Sequence, residues 1–161
     1  MSRLDSVIRR LQAQRSCIDH AIALIADRPG PVFEVGLGNG RTYDHLRDRL
    51  PGRAIYAFDR QVAAHPDCIP NGEFLVLGDA RQTLPATTAS RGRAQLLHSD
   101  IGTGDAGANA ALAVELAPVY AEAVAPGGVL ISDQPLAGPA FESLALPEGV
   151  APGRYHLYRR R

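Results

Sequence analysis

Leu4, Val7, Ile8, Leu11, Ile18, Ile22 and Ile25 recur between polar positions at the spacing of one helical face. That stripe predicts an amphipathic helix over residues 2–28, stopped by Arg28-Pro29-Gly30. The pattern then changes to short apolar runs. Val32 to Val35, Ala54 to Phe58, Phe74 to Leu77, Ala94 to Leu97 and Val129 to Asp133 each read as a strand buried in a sheet. Thr42 to Leu50 reads as a short helix ended by Pro51-Gly52. Asp105 to Val124 reads as a longer one, with Asp105 as N-cap and Pro118 as a kink or break. Glu142 to Leu146 and Tyr155 to Arg159 complete the pattern as antiparallel strands joined through Pro147 to Gly153.

Strands alternating with helices make a parallel sheet with right-handed crossovers, and such sheets bind ligands at the carboxyl ends of their strands. Here those ends carry chemistry. After the first strand come Gly36, Leu37, Gly38 and Gly40, then the helix start at Arg41-Thr42. A strand, a glycine turn and a helix N-terminus form a nucleotide cradle. The dinucleotide fingerprint G-x-G-x-x-G would need glycine where Arg41 stands, and here an acid, Glu34, precedes the first glycine by two residues. The second strand ends in Asp59, whose carboxylate has the lone pairs to accept both hydroxyls of a ribose. Arg60 stands beside it, placed to flank an adenine or to be solvated. The third strand ends in Gly78-Asp79-Ala80, which places a further acid at a strand end.

Four landmarks in order, E-V-G-L-G-N-G, Asp59, G-D-A, and Pro126-Gly127-Gly128 before the fifth strand, resemble the class I S-adenosylmethionine-dependent methyltransferases. The resemblance spans about residues 31–135. It implies a Rossmann-like α/β fold: a mostly parallel central sheet of six or seven strands, the last antiparallel, with helices on both faces. It implies one domain over 1–161, with an N-terminal helix (1–28), a cofactor-binding core (31–135) and terminal strands (140–161). In such enzymes the N-terminal helix can help cover the cofactor. The implied cofactor is S-adenosyl-L-methionine, with S-adenosyl-L-homocysteine as product. The implied cofactor residues are Glu34, Gly36, Leu37, Gly38, Gly40, Arg41, Thr42, Asp59, Arg60, Asp79, Ala80, Ser99 and Asp100.

Methyl transfer needs a nucleophile held in line with the methyl and, for a hydroxyl or ammonium, a proton acceptor. Asp100, His98 and Asp133 are the candidate catalytic groups. Asp100 reads as a base, as a partner of the cofactor's amino group, or as a turn cap; His98 also reads as a satisfied core histidine. Asp100, Asp133 and Gln134 occupy places that hold magnesium in catechol-type O-methyltransferases. Glutamine in place of asparagine, and the absence of any lysine base, argue against that site, so no metal is expected. The D/N-P-P-Y run of amino-methylating DNA enzymes is replaced by Ser99-Asp100-Ile101-Gly102, and neither cysteine is placed as an RNA-methylating nucleophile.

Composition adds bounds. The formal net charge of zero gives no attraction to nucleic acid or anionic membrane. Cys17 and Cys68 match no metal or redox spacing. With no signal-peptide layout and no apolar run of ~18 residues, a soluble cytoplasmic protein is expected. A chain this close to the minimal fold implies a small-molecule acceptor, or a site completed by a second subunit in a homodimer. A non-catalytic adenosylmethionine-binding module or regulatory subunit is the main alternative. A NAD-type oxidoreductase and an aminopropyltransferase are weaker ones.

Overall fold

A computed structural model describes residues 2–161; Met1, the first residue of the expected single domain, lies outside them. The strands are β1 (Val32–Val35), β2 (Ile55–Asp59), β3 (Leu75–Leu77), β4 (Ala94–Ser99), β5 (Val124–Ser132), β6 (Phe141–Ser143) and β7 (His156–Arg160). The helices are α1 (Arg3–Leu24), α2 (Arg41–Arg49), α3 (Ala80–Arg91) and α4 (Ala106–Ala123). The strands form one seven-stranded sheet in the order β3-β2-β1-β4-β5-β7-β6. The first five run parallel, and β7 lies antiparallel between β5 and β6. Strand order reverses between β1 and β4, which opens a crevice at their carboxyl ends.

Side-chain parity sorts the core into two layers. Phe33, Phe58, Leu97 and Leu130 face α3 and α4, where Leu84, Leu116 and Tyr120 meet them. Val32, Ala57, Leu96 and Ile131 face α1 and α2, against Ile18, Ile25 and Leu46. Because both faces are covered, the strands read as continuous apolar runs rather than alternating ones. Each fully buried aliphatic or aromatic side chain contributes about 1.5–3 kcal/mol. Phe33 adds an edge-on contact with Phe58, ring centroids 5.2 Å apart.

The elements follow the sequence pattern with four differences. Helix α1 begins in a capping box between Ser2 and Asp5, but only its second half packs on the sheet. Leu4, Val7 and Ile8 of the apolar stripe stand 67%, 46% and 44% exposed. Helix α4 runs unbroken through Pro118, which lies on the solvent side, as does Val114, whose carbonyl loses its donor. Pro126-Gly127-Gly128 lies inside β5 rather than before it: pairing with β4 jumps from Ala94↔Val124 to Leu96↔Val129, a bulge in the strand. Helix α3 buries only Leu84 and Thr87, too few to show as a stripe, and is defined instead by its Asp79 N-cap and by Gly92 at its end.

Candidate active site

The glycine loop packs against two other segments and leaves one position open. Gly36, Gly38 and Gly40 all have positive φ, at +91°, +51° and +85°. A Cβ on Gly36 would stand 2.6 Å from the carbonyl oxygen of Asp100, and one on Gly40 would collide with Cys68. One on Gly38 would meet nothing within 4 Å. Gly36 and Gly40 therefore serve close approach of chain to chain, whereas Gly38 borders open space. That space is a cavity of about 320 Å³ over the ends of β3, β2, β1 and β4, bordered by Gly36, Gly38, Asp59, Asp79, Asp100 and Thr103. The volume is that of a small-ligand site.

Two of the expected acids, Asp59 and Asp79, stand at its β2–β3 side. Asp59 Oδ2 accepts from the Gly38 amide at 3.0 Å, and Oδ1 from the Arg60 amide at 2.7 Å. The carboxylate thus ties the tip of β2 to the glycine loop. Asp79 caps α3 by accepting from the Arg81 amide, and the Arg81 guanidinium bonds both its oxygens at 2.9 and 2.5 Å. Those bonds hold the Asp79 carboxyl far below the usual carboxylate range. Arg60 approaches Asp79 to 3.7 Å and is largely exposed at the rim, and Ala80 also borders the cavity.

Other expected site residues do not border the cavity. Glu34 and His98 sit opposite each other on β1 and β4, and both side chains are 0% exposed. His98 Nδ1 lies 2.8 Å from Glu34 Oε2, and Thr42 donates its hydroxyl to Glu34 Oε1. Burial pulls the imidazole pKa down, but Glu34, with Asp100 and Asp133 beyond it, outweighs that and raises it above the ordinary histidine value. Arg41 and Thr42 face a separate groove against α1. Leu37 is core, and Ser99 is buried with its hydroxyl 2.8 Å from that of Tyr120. Gly40 serves packing behind the loop.

Asp100 is no turn cap. Its Oδ2 accepts from the Gln14 amide at 2.6 Å and from the Tyr155 hydroxyl at 3.2 Å, with Arg10 at 3.6 Å. Burial, and the Asp100 charge beside it, push the Tyr155 pKa up, which keeps the phenol a donor. Gln14, Tyr155 and Arg10 were not singled out in the sequence. Gln14 had a signal: it is a polar residue between Leu11 and Ile18 on the apolar stripe of α1.

Asp133 and Gln134 bond to each other and to the loop after β4. Asp133 Oδ2 accepts from the Gly102 amide at 2.9 Å and from Gln134 Nε2 at 3.1 Å, holding the loop that walls the cavity. Among the described residues, no group of three His, Cys, Asp or Glu side chains is arranged to hold a metal. Asp133 Oδ1 is buried without a hydrogen-bond partner, and burial raises the carboxyl pKa. A group that binds its proton more tightly when folded makes stability fall as pH rises from the unfolded value of 3.8 through the folded one. Asp133→Asn keeps an oxygen for Gly102 and removes the buried charge. At neutral pH it is expected to melt higher, by about 2–4 °C per kcal/mol relieved, with the gain vanishing towards acid pH. A pH series of thermal melts checks this; a lower melting temperature at neutral pH would show that the charge is needed.

The residues present fit S-adenosyl-L-methionine. The open position at Gly38, the acceptor at Asp59 and the carboxylate of Asp100 lie in one cavity, matching an extended ligand with a ribose at its middle and an ammonium at one end. The sequence matches, over residues 1–160, the family described as S-adenosyl-L-methionine methyltransferase. No curated protein matches it. The crystal structure of an S-adenosyl-L-methionine methyl transferase from Silicibacter pomeroyi DSS-3 is 46% identical, with a TM-score of 0.93 over 100% of this chain and 99% of that one. TrmN from Thermus thermophilus is 18% identical, with a TM-score of 0.60 over 88% of this chain and 48% of its own. The methyltransferase MycE of the mycinamycin biosynthetic pathway, solved with Mg and SAH, is 12% identical, with a TM-score of 0.59 over 93% of this chain and 47% of its own. The last two share the fold alone. The chain belongs to the S-adenosyl-L-methionine methyltransferase family and is a methyltransferase that uses that cofactor.

Proposed function

We propose that the cavity holds S-adenosyl-L-methionine across four strand ends and that the enzyme methylates a small-molecule acceptor at the Asp100 end. The observation that carries this is the order of groups along the sheet edge: Asp79 after β3, Asp59 after β2, Gly38 after β1, Asp100 after β4. At roughly 4.8 Å per strand, four strands span about 14 Å. Adenine lies toward Asp79 and Ala80, the ribose on Asp59, and the amino-acid end at Gly36 and Asp100. The sulfonium of the bound cofactor supplies the electrophilic methyl.

What the chain contributes is orientation, worth roughly 7–11 kcal/mol of a barrier when complete. Asp59 and the Gly38 amide fix the nucleoside. Asp100 offers Oδ1 to a ligand while Oδ2 is held by Gln14 and Tyr155. His98 has no exposed surface, with Glu34 and Gln14 at its two nitrogens, so it acts on the site only through neighbours. The small-molecule reading draws support from fold relatives such as the sugar N-methyltransferase KedS8 from Streptoalloteichus. No helix among the described residues is long and apolar enough to cross a membrane.

Calorimetric titration tests the cofactor site: S-adenosyl-L-homocysteine is expected to bind in the micromolar range, with NADH as a silent control. Transfer of labelled methyl from S-adenosyl-L-methionine to a metabolite panel tests the acceptor class. Binding of NADH alone would overturn the cavity assignment. Transfer to a protein or RNA fraction, and to no metabolite, would overturn the acceptor class.

A further inference from the structure

Gln14 is the one non-apolar side chain on the buried face of α1. Its amide nitrogen lies 2.6 Å from Asp100 Oδ2 and 3.4 Å from His98 Nε2. An ionised carboxylate only accepts hydrogen bonds, so the amide must turn its nitrogen, and not its oxygen, toward Asp100. That nitrogen carries two hydrogens. One goes to Asp100; when the His98 ring is neutral, its Nε2, 3.4 Å away, can accept the other. In that neutral form the ring proton sits on Nδ1, facing Glu34 at 2.8 Å, and in the protonated form Nδ1 still donates to Glu34. Glu34 in turn takes the Thr42 hydroxyl. Donors and acceptors alternate without conflict from Thr42 in α2, through Glu34 and His98 in the sheet, to Gln14 in α1 and Asp100 at the cavity.

This chain answers a positional problem. Asp100 begins a loop just past β4, and its other partners are the Tyr155 hydroxyl, which donates at 3.2 Å, and the Arg10 guanidinium, an ion pair at 3.6 Å whose arginine side chain is 40% exposed. Gln14 makes the shortest of the three contacts. It comes from a helix whose second half is anchored by Cys17, Ile18, Ala21 and Ile25. We propose that Gln14 is a positioning residue: held by the buried Glu34–His98 pair, it sets the Asp100 carboxylate for the ammonium of the cofactor's amino-acid end. This rests on the assignment of the cavity to S-adenosyl-L-methionine. It makes α1 part of the cofactor site through a side chain that never touches the cofactor.

The test compares two ligands that share the nucleoside and differ in the amino-acid end. S-adenosyl-L-homocysteine has that end; 5′-methylthioadenosine lacks it. Gln14→Met keeps the length of the side chain and removes its donors. It is expected to weaken S-adenosyl-L-homocysteine about tenfold, the effect of losing a hydrogen bond to a charged group, and to leave 5′-methylthioadenosine within about twofold. Asp100→Asn should show the same split, and adding Q14M to D100N should cost little more. Nitrogen-15 spectra of histidine-labelled protein, taken at a pH where the His98 ring is neutral, should show its Nδ1–H tautomer in the parent and a displaced Nε2 signal in Q14M. Equal loss of both ligands would make Gln14 a packing residue and overturn the proposal, as would no loss of either. Should Q14M not fold, Gln14→Asn, which draws the amide back by one methylene, must show the same split. If the parent protein binds neither ligand, the cavity assignment itself fails; if it binds both and the split is absent, only the role of Gln14 does.

Discussion

Glu34→Ala is expected to cost about 3–5 kcal/mol of folding free energy, the usual effect of removing one partner from a buried ion pair. At about 2–4 °C per kcal/mol, the melting temperature should fall by roughly 6–20 °C. Glu34 accepts from His98 Nδ1 and from the Thr42 hydroxyl, and both side chains of the pair are wholly buried, so its removal leaves both donors without their carboxylate. The deficit should depend on pH. In the parent, the pair raises the His98 pKa, so its contribution is complete below the unfolded value of 6.5 and is lost as pH rises through the folded value. Without Glu34, burial is opposed only by the Asp100 and Asp133 charges, and the His98 pKa falls. The gap between parent and E34A should therefore widen as pH falls through the histidine range. Glu34→Gln keeps an acceptor and the volume, and should lose less. Urea titrations of the three proteins at several pH values measure this. A loss below about 1 kcal/mol, independent of pH, would mean that the pair carries little of the fold.

Asp59→Ala should weaken S-adenosyl-L-homocysteine by about 10- to 150-fold, equivalent to roughly 1.5–3 kcal/mol of charge-assisted hydrogen bonding. The structure adds a second source for that loss. Asp59 Oδ2 also holds the amide of Gly38, the glycine that borders the open cavity, so removing the carboxylate frees the loop as well as the ribose site. Asp59→Asn retains one oxygen for Gly38 and should fall between the parent and D59A. Folding should change little, because the side chain stands at a strand tip and not in either core layer. Calorimetry on the three proteins separates these effects, and unchanged affinity in D59A would place the ribose elsewhere.

The ordering of these two acids was legible to different degrees. Asp59 could be assigned because a strand end and its distance from the glycine loop are both local readings. Glu34 looked equally well placed, two residues before Gly36, yet it lies inside the sheet. The reason is parity. In β1 the even positions Val32 and Glu34 point toward α1 and α2, and on β4 Leu96 and His98 point the same way. Glu34 meets His98 only because β1 and β4 pair in the register that sets them opposite, and that register joins segments more than sixty residues apart. The Pro126-Gly127-Gly128 turn failed as a boundary for a similar reason: whether such a run breaks a strand or bulges it depends on the neighbouring strand.

Periodicity and spacing by themselves determined the alternation of strands and helices, the glycine cradle and the strand-end acids Asp59 and Asp79; the resemblance those landmarks carry pointed to the family and its cofactor. These are local properties, written within a few residues of one another. Only the tertiary structure decided which polar side chains face the cavity and which are sealed in the core. It moved Glu34, His98 and Ser99 inward and brought Gln14 to Asp100 across 86 residues of chain. The physical reason is that side-chain direction at a strand end depends on register and on the helix packed above it, and both arise from contacts between distant segments.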